Sequence, residues 1–224
     1  LGVIFLGVSP AVEVPATPAS ANQKSLFAPG FGLTASRGIV LRLSALFALD
    51  AFGGGFVIQS IMAYWFHLRF GVSPAVLGMI FFGANVLAGI SALSAASLSR
   101  RIGLINTMVF THIPSNVLLM LVPLMPTLPL AIGLLLLRYS ISQMDVPTRQ
   151  AYTMAVVKPE ERSAASGITG VARTIGAALS PGLATPMLAV PALMGAPFLI
   201  AGGIKIVYDL LLFASFRATR PSAE

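Results

Sequence analysis

Long apolar runs separated by short polar stretches dominate the pattern of residues along this chain. Six runs are long enough to form about 20 helical residues, the length that crosses roughly 30 Å of hydrocarbon. They are continuous and do not alternate with period two, and backbone in lipid must form its hydrogen bonds within its own segment. The pattern predicts an all-α polytopic membrane protein whose six transmembrane helices lie near residues 43–66, 74–98, 103–123, 127–147, 164–189 and 192–216.

The sequence before and after these runs predicts the organisation of the rest of the chain. Residues 1–12 are too short to span a membrane. A signal-peptide core is one alternative, but no positive segment precedes them, so we interpret them as the tail of a preceding transmembrane helix. Residues 13–37 are rich in Pro, Ala, Ser and Gly, a composition typical of a linker. After the linker we expect a six-helix bundle over residues 38–217 and a cytoplasmic tail over residues 218–224.

The composition supports a membrane protein. Hydrophobic residues make up 56% of the 224 residues, and the mean hydropathy of +0.89 exceeds what a water-soluble domain can bury. Lys and Arg number 14 against 7 Asp and Glu. These cations are spread over short loops and are not gathered on one face, so we expect no nucleic-acid partner.

Few residues suit a metal, a cofactor or enzyme chemistry. Cysteine is absent, and neither His67 nor His112 has a carboxylate or a second histidine at ligand spacing, so no metal site is expected. The chain also lacks the glycine-rich P-loop that binds ATP phosphates. An intramembrane enzyme needs a nucleophile, a base or metal ligands that converge, and the sequence shows only dispersed charges. We therefore expect no cofactor and no enzymatic activity.

The positive residues between the spans predict the orientation of the bundle. Because positive residues in short loops stay cytoplasmic, the linker and the C-terminus are expected in the cytoplasm, with the bundle in the cell (inner) membrane and in contact with its lipid. Only Arg69 lies on the opposite side. Tyr64 and Trp65 are expected at that opposite interface. The cytoplasmic set contains Lys24, Arg37, Arg42, Arg100, Arg101, Arg149, Lys158, Arg162, Arg217 and Arg220.

Three local stretches carry a family resemblance. ASLSRRIGLIN at residues 96–106 follows the second span, DVPTRQ and PEERSAASG at residues 145–167 follow the fourth, and GAALSPG at residues 176–182 lies in the fifth. With six helices after a helix tail and a long linker, these stretches resemble the C-terminal half, helices seven to twelve, of a major facilitator superfamily transporter. The resemblance implies two three-helix inverted repeats and a missing N-terminal six-helix half of the same chain.

The stretch after the second span resembles the family's gating loop. It matches the pattern G-x-L-A-D-R-x-G-R-[RK] at Leu98, Arg101 and Gly103. Arg100 stands where the family has an aspartate. The salt bridge that this aspartate would form is therefore not implied for this chain. Arg100, Arg101 and Gly103 are therefore candidate gating residues.

Ionisable residues inside the predicted spans mark the candidate site. A charge at bilayer depth costs at least about 2.5–3.5 kcal/mol, so it normally faces protein or water. Lys205 and Asp209 lie four residues apart on one helical face and are expected to pair with each other. The candidates are Asp50, Arg138, Asp145, Arg173, Lys205 and Asp209.

Asp50 is the candidate for proton exchange. It precedes three glycines at residues 53–55, which weaken the helix and suit a bend that opens and closes. By the resemblance it lies on helix seven, which lines the central cavity. A partly desolvated carboxylate there would exchange a proton as its exposure changes. The alternative is a structural carboxylate that pairs with Arg138 or Arg173.

The other candidates have both functional and structural interpretations. By the resemblance Arg138 lies on helix ten, which lines the cavity, and its charge is predicted to face the substrate or proton pathway between the two halves. Arg173 is either a helix tether or a substrate contact. Gln59 and Asn85 are polar enough to contact substrate, and interhelical hydrogen bonds explain them as well.

Asp145 and Arg149 are expected at a helix end on the cytoplasmic side. Val146 precedes Pro147 and resists helical geometry, so the fourth span is predicted to finish here. Arg138 is about 10 Å away along the helix axis, too far to contact Asp145 directly. We therefore expect Asp145 to pair with Arg149 and stabilise the cytoplasmic loop, in either a gating or a purely structural role.

Together these features predict a secondary active transporter fragment. It would move a small solute by alternating access, and the resemblance of GAALSPG to an antiporter pattern favours proton-coupled efflux. A metabolite importer that works by symport and a structural membrane subunit without transport activity are the alternatives.

Overall fold

A computed structural model describes residues 32–216, and this part of the chain is helical. The helices are α1 (Arg37–Gly55), α2 (Gln59–Phe70), α3 (Pro74–Ile102), α4 (Leu104–Leu121), α5 (Leu128–Ser142), α6 (Asp145–Val156), α7 (Arg162–Leu188) and α8 (Ala196–Phe216). Short 3₁₀ turns lie at Val122–Leu124, Pro159–Glu161 and Pro191–Leu193. Residues 32–216 contain no β-strand, which confirms the all-α class.

The terminal segments are not part of this description. The predicted helix tail at residues 1–12, the linker up to residue 31 and the tail at residues 218–224 lie outside the described residues. Within the described part, helix begins at Arg37, one residue before the predicted start of the bundle.

Four helical segments among the described residues are long and apolar enough to cross a membrane. They are Arg37–Phe70, Pro74–Ile102, Leu104–Leu124 and Pro191–Phe216. The helix α5 has only 15 residues, and α7, with 27 residues, contains Ser, Thr, Gly and Arg along its length. The spans predicted near 127–147 and 164–189 therefore stay predictions.

The first predicted span is a broken helix. The glycines at residues 53–55 remain helical, and the break follows at Phe56 to Ile58, where Ile58 has extended backbone. The predicted bend therefore lies just after the glycines. The glycines let other helices approach: a Cβ at Gly53 would lie 3.2 Å from Lys205 Cγ, and a Cβ at Gly55 would clash with Ser180.

The fourth predicted span is broken as well, and its C-terminal end differs from the prediction. Helix α5 ends at Ser142, and α6 begins at Asp145 with Pro147 in its first turn. A proline is tolerated there because the first backbone N–H groups of a helix have no intrahelical partner. The structure therefore places Asp145 and Arg149 in a helix and not in a loop, and both side chains are buried.

Two apolar clusters form the interior of the bundle. We name the first the Trp65 cluster; it includes Trp65, Phe66, Leu119, Leu135 and Phe198. The second, the Tyr208 cluster, includes Leu43, Phe47, Met108, Tyr152, Tyr208 and Leu212. The Trp65 ring packs 4.9 Å from the ring of Phe198 and is only 1% exposed, so it is buried between helices, and its predicted position at the membrane interface stays a prediction.

The most extensive contacts between the described helices are those of α1 with α7 and of α4 with α8. Helix α1 lies along α7, α3 along α5, and α4 along α8, while α1 also contacts α8 and α4 also contacts α5 and α6. The α1–α7 crossing is close because Gly176 faces the backbone of Ala48, where a Cβ would not fit. In contrast, a Cβ at Gly78 or Gly89 of α3 would meet no described atom within 4 Å.

Candidate functional site

A layer of polar and ionisable side chains separates the two apolar clusters. Along α1, for example, Asp50 lies between Phe47 of the Tyr208 cluster and Phe52, which packs on the Trp65 cluster. Six helices contribute to this polar layer, and all of its side chains are buried except that of Arg173, which is half-buried. We define the polar layer as Asp50, His112, Asn116, Arg138, Asp145, Arg149, Arg173, Lys205 and Asp209.

Asp50 is the centre of an ion-pair network. Lys205 Nζ of α8 donates to Asp50 Oδ1 at 2.5 Å, and Arg149 Nη1 of α6 donates to Asp50 Oδ2 at 2.9 Å. His112 Nε2 lies 3.9 Å from Asp50 Oδ1. Both carboxylate oxygens therefore have a cationic partner, which is what a buried charge requires to offset its desolvation. The network joins α1 to α6 and α8.

The glycine run explains how Lys205 reaches Asp50. The lysine stem lies against Gly53 and Gly54, where added Cβ atoms would lie 3.2 Å from Cγ and 3.6 Å from Cε of Lys205. A larger side chain at Gly53 would meet this stem. The glycines therefore keep a path open between α8 and the carboxylate of Asp50.

Arg149 also bonds within its own helix. Its Nη1 lies 3.3 Å from Asp145 Oδ2 one turn earlier, and its guanidinium lies 5.3 Å from the centre of the Phe47 ring. The predicted contact between Asp145 and Arg149 therefore exists. The contact with Asp50, 99 residues away, was not predicted.

Lys205 and Asp209 do not form the pair that their spacing predicted. Asp209 Oδ1 lies 2.9 Å from His112 Nδ1, and Asn116 Nδ2 donates to Asp209 Oδ2 at 3.3 Å. Each of the two residues is bonded across a helix interface. The functional interest of His112 was missed, because no local spacing links it to a carboxylate 97 residues further along the chain.

Arg138 and Arg173 are the guanidinium groups of the polar layer without an ion pair. Among the described residues, neither has a carboxylate oxygen within 4 Å, and the buried Nε of each lacks a hydrogen-bond partner. Arg138 lies against the Tyr139 ring, 5.1 Å from its centre. Asp50 is therefore not paired with either arginine, contrary to the structural alternative considered for it.

A cavity of about 430 Å³ opens beside the network, between α1, α6 and α7. Arg149 and Arg173 are the charged residues of its lining, which contains no carboxylate. We call it the arginine cavity; it is lined by Phe47, Arg149, Gln150, Thr153, Met154, Ser166, Thr169, Gly170 and Arg173.

Two other predicted pathway residues lie away from the polar layer. Asn85 Nδ2 lies 3.4 Å from Gln59 Oε1 and also donates to Phe81 O at 2.8 Å. Both Gln59 and Asn85 are exposed on the outer surface of α2 and α3. Their interhelical contact fits the structural interpretation.

The candidate gating residues lie where α3 meets α4. Arg100 and Arg101 are exposed, and Arg100 Nη2 donates to Ser97 Oγ at 3.2 Å. Gly103 joins the two helices with φ +87, a conformation that favours glycine. The loop predicted here is thus a single-residue connection.

A buried carboxylate ties the start of α1 to the connection between α6 and α7. Glu161 Oε1 accepts from Thr34 Oγ1 and N, both at 2.6 Å, and from Ala35 N at 3.0 Å, while Oε2 accepts from Ser36 N at 2.9 Å. These donors, those of Thr34 above all, hold the pKa of Glu161 well below its ordinary value. Sequence reasoning did not single out this residue, although it lies in the stretch PEERSAASG.

Comparison with known proteins gives two matches. A family model described as Major Facilitator Superfamily matches residues 1–181. The uncharacterized membrane protein YJR124C of Saccharomyces cerevisiae is 26% identical over 179 residues, which cover 80% of this chain and 40% of the yeast protein. The chain therefore spans less than half the length of this relative. No solved structure matches the chain.

Proposed function

Because this chain belongs to the major facilitator superfamily, a family of membrane transporters, we propose that it forms the C-terminal half of a secondary active transporter. The other six helices would come from the N-terminal half of the same, longer protein. The greater length of the yeast relative supports this arrangement.

The contact pattern supports two inverted repeats, one from α1 to α4 and one from α5 to α8. In this arrangement α1 is equivalent to α5, α3 to α7 and α4 to α8. The contact of α1 with α7 is then equivalent to the contact of α5 with α3, and the contact of α4 with α8 is equivalent to itself. The first span of each repeat is also broken, after Gly55 and after Ser142. Such internal symmetry is common in transporters.

The surface of α7 supports a missing partner bundle. Ser163, Ser166, Gly170 and Thr174 are exposed along this helix. Small and polar residues of this kind pack closely against other helices and form hydrogen bonds with them, whereas lipid offers neither. We propose that the N-terminal half covers this face.

The polar layer is the observation that carries the transport proposal. Ionisable residues are expensive inside a membrane and mark ion or substrate pathways. Here they lie between two apolar clusters, as expected of a site near the middle of the bilayer. The ion pairs of Asp50 reach two other helices, so a change at this carboxylate affects how α1, α6 and α8 are held together.

We propose that Asp50 couples transport to proton movement. Arg149 and Lys205 keep Asp50 ionised in this arrangement, so we propose that it takes up a proton only in an arrangement where both cations have moved to other partners. A bundle that alternates between two arrangements responds to such a change by shifting its populations. In the proposed antiport, proton entry at Asp50 drives solute export from the cell, with the linker and C-terminus in the cytoplasm.

Transport by the full-length protein in proteoliposomes tests this proposal. A panel of labelled anionic, cationic and neutral solutes is offered with and without an imposed pH gradient. We expect at least one solute to exchange across the membrane and to accumulate against its gradient when protons flow in the opposite direction. Asp50→Asn should keep exchange and lose accumulation, and Glu160→Gln, which removes an exposed carboxylate, should behave as the wild type.

The possible results separate the alternatives. Accumulation in the direction of proton flow indicates symport. Accumulation by Asp50→Asn at the wild-type rate removes Asp50 from the coupling step. If no solute moves, and neutralising Asp50, Arg138 and Arg173 leaves the activity of an associated complex intact, the protein is a structural subunit.

A further inference from the structure

We infer that the arginine cavity binds an oxyanion, so that its ligand carries a carboxylate or phosphate group. The inference names the substrate class of the proposed transporter and rests on that proposal only for the step from binding to transport.

The balance of charge in the polar layer is the first argument. The negative charges of Asp50 and Asp145 are balanced by the positive charges of their partners Arg149 and Lys205. Asp209 is held by His112 and Asn116. The guanidinium groups of Arg138 and Arg173 remain, which leaves the described part of the layer with excess positive charge even when His112 is neutral. An anion in the layer would offset this excess.

The position of Arg173 is the second argument. Its side chain lines the arginine cavity together with Arg149, and its buried Nε has no hydrogen-bond partner among the described residues. A buried donor without a partner is costly. The planar guanidinium fork matches the two oxygens of a carboxylate or phosphate, so an oxyanion in the cavity satisfies both the charge and the donor.

The remainder of the lining suits a small organic anion. The cavity volume of about 430 Å³ falls within the usual range for small-molecule sites. Phe47 and Met154 offer apolar surface, and Gln150 and Ser166 offer further polar groups. Because the lining has no carboxylate, nothing in it repels an anion. A cation would face the guanidinium of Arg173, which has no carboxylate partner among the described residues, and is disfavoured.

A second cavity of similar size lacks the features of the arginine cavity. It has a volume of about 400 Å³ and lies near the ends of α2 and α8. Its charged residue is Arg69, which is exposed to solvent. Water screens the charge of an exposed side chain of this kind. Among its described lining residues, the second cavity also lacks the unsatisfied buried donor that characterises the arginine cavity.

Binding to the full-length protein in phosphatidylcholine nanodiscs tests the inference. The probes are benzoate, inorganic phosphate and the neutral isostere benzamide, and the readout is the ligand-dependent rise in the unfolding temperature, from which a Kd follows. We expect benzoate or phosphate to bind and benzamide not to bind. Arg173→Gln should weaken oxyanion binding about tenfold or more, and Arg173→Lys should restore part of it because the charge returns.

The matched control is Arg42→Gln, which removes the same charge from an exposed position of α1. It should bind the oxyanion as tightly as the wild type. The inference is overturned if benzamide binds as well as benzoate, if Arg173→Gln binds like the wild type, or if neither oxyanion stabilises the protein.

Two further arms identify the source of the oxyanion and separate this inference from the transport proposal. If phosphatidylglycerol in the nanodisc competes with benzoate, the natural ligand is a lipid phosphate; if it does not compete, the ligand is a solute. Oxyanion binding without transport in proteoliposomes contradicts the proposed function alone. Transport of cations or neutral solutes, with no oxyanion binding, contradicts this inference alone.

Discussion

Asp50 pairs with Lys205, 155 residues further along the chain, and with Arg149, 99 residues further along. The sequence identified Asp50 as a buried charge because of its apolar surroundings. It did not identify its partners, because helical spacing relates only residues within about one turn of each other. Lys205 and Asp209 satisfy that spacing, yet each gains a shorter contact across a helix interface.

The same limit applies to His112. Its place within an apolar run was evident from the sequence, but its proximity to Asp209 arises only because α4 packs along α8. Spacing along the chain therefore identified which charges are buried, and helix packing determined how they are paired.

The carboxylate of Glu161 gives a prediction on pH dependence. Glu161→Gln should lower the unfolding free energy at pH 7 by on the order of 2 kcal/mol, because hydrogen bonds to a charged acceptor are lost. The pKa of Glu161 is depressed in the folded protein, so its stabilisation is complete above the ordinary value of 4.5 and is lost as the pH falls towards the folded pKa. Thermal unfolding in detergent between pH 3 and about 8 measures the difference.

Glu160→Gln is the matched control, since the neighbouring carboxylate is exposed. It should change the unfolding temperature little at any pH. A difference between the wild type and Glu161→Gln that stays constant down to pH 3 would contradict the proposed role of the ionised carboxylate.

At the scale of elements, the apolar runs predicted where helices lie but not where they break. Helix α3 begins at Pro74, where the second predicted span begins, and α4 and α8 end near their predicted limits. The breaks after Gly55 and Ser142 were harder to place. Apolar residues continue across the first break, at residues 56–58, so composition does not mark it, whereas the mostly polar residues 142–145 at the second break were assigned to the end of the fourth span.

The α1–α7 crossing gives a prediction on helix packing. Gly176→Ala should destabilise the protein by about 1–3 kcal/mol, because its Cβ would overlap the backbone of Ala48 and force the helices apart. Gly182→Ala is the control on the same helix, where a Cβ meets no described atom within 4 Å. It should be neutral or slightly stabilising, since alanine favours helix over glycine.

Thermal unfolding of both variants in the same detergent measures the two effects. Equal unfolding temperatures for Gly176→Ala and the wild type would show that the crossing tolerates a wider separation than the structure indicates.

At the scale of the whole molecule, the distribution of positive residues predicts a sidedness that the fold alone does not establish. The connection between α6 and α7 should be cytoplasmic and the connection between α2 and α3 should lie on the opposite side. Because this chain contains no cysteine, single cysteines can report their own accessibility.

Ser73→Cys and Glu160→Cys test the two sides, since both positions are exposed. Any cysteine elsewhere in the full-length protein is first replaced. In intact cells a membrane-impermeant maleimide should label Ser73→Cys, and Glu160→Cys should be labelled only after permeabilisation. The reverse pattern would place the linker outside the cell and invert the proposed direction of transport.

By itself, the sequence determined the class of this protein: hydrophobic runs in continuous blocks require helices in a membrane, because lipid offers no hydrogen bonds to an open backbone. It also identified most charges that the interior would have to accommodate. Tertiary structure alone decided that these charges gather in one layer, that Asp50 holds three helices together, and that Arg173 lies beside a cavity with no ion-pair partner in the described part of the chain. The reason is physical: burial follows from local composition, whereas the partner of a buried charge depends on helices brought together from distant parts of the chain.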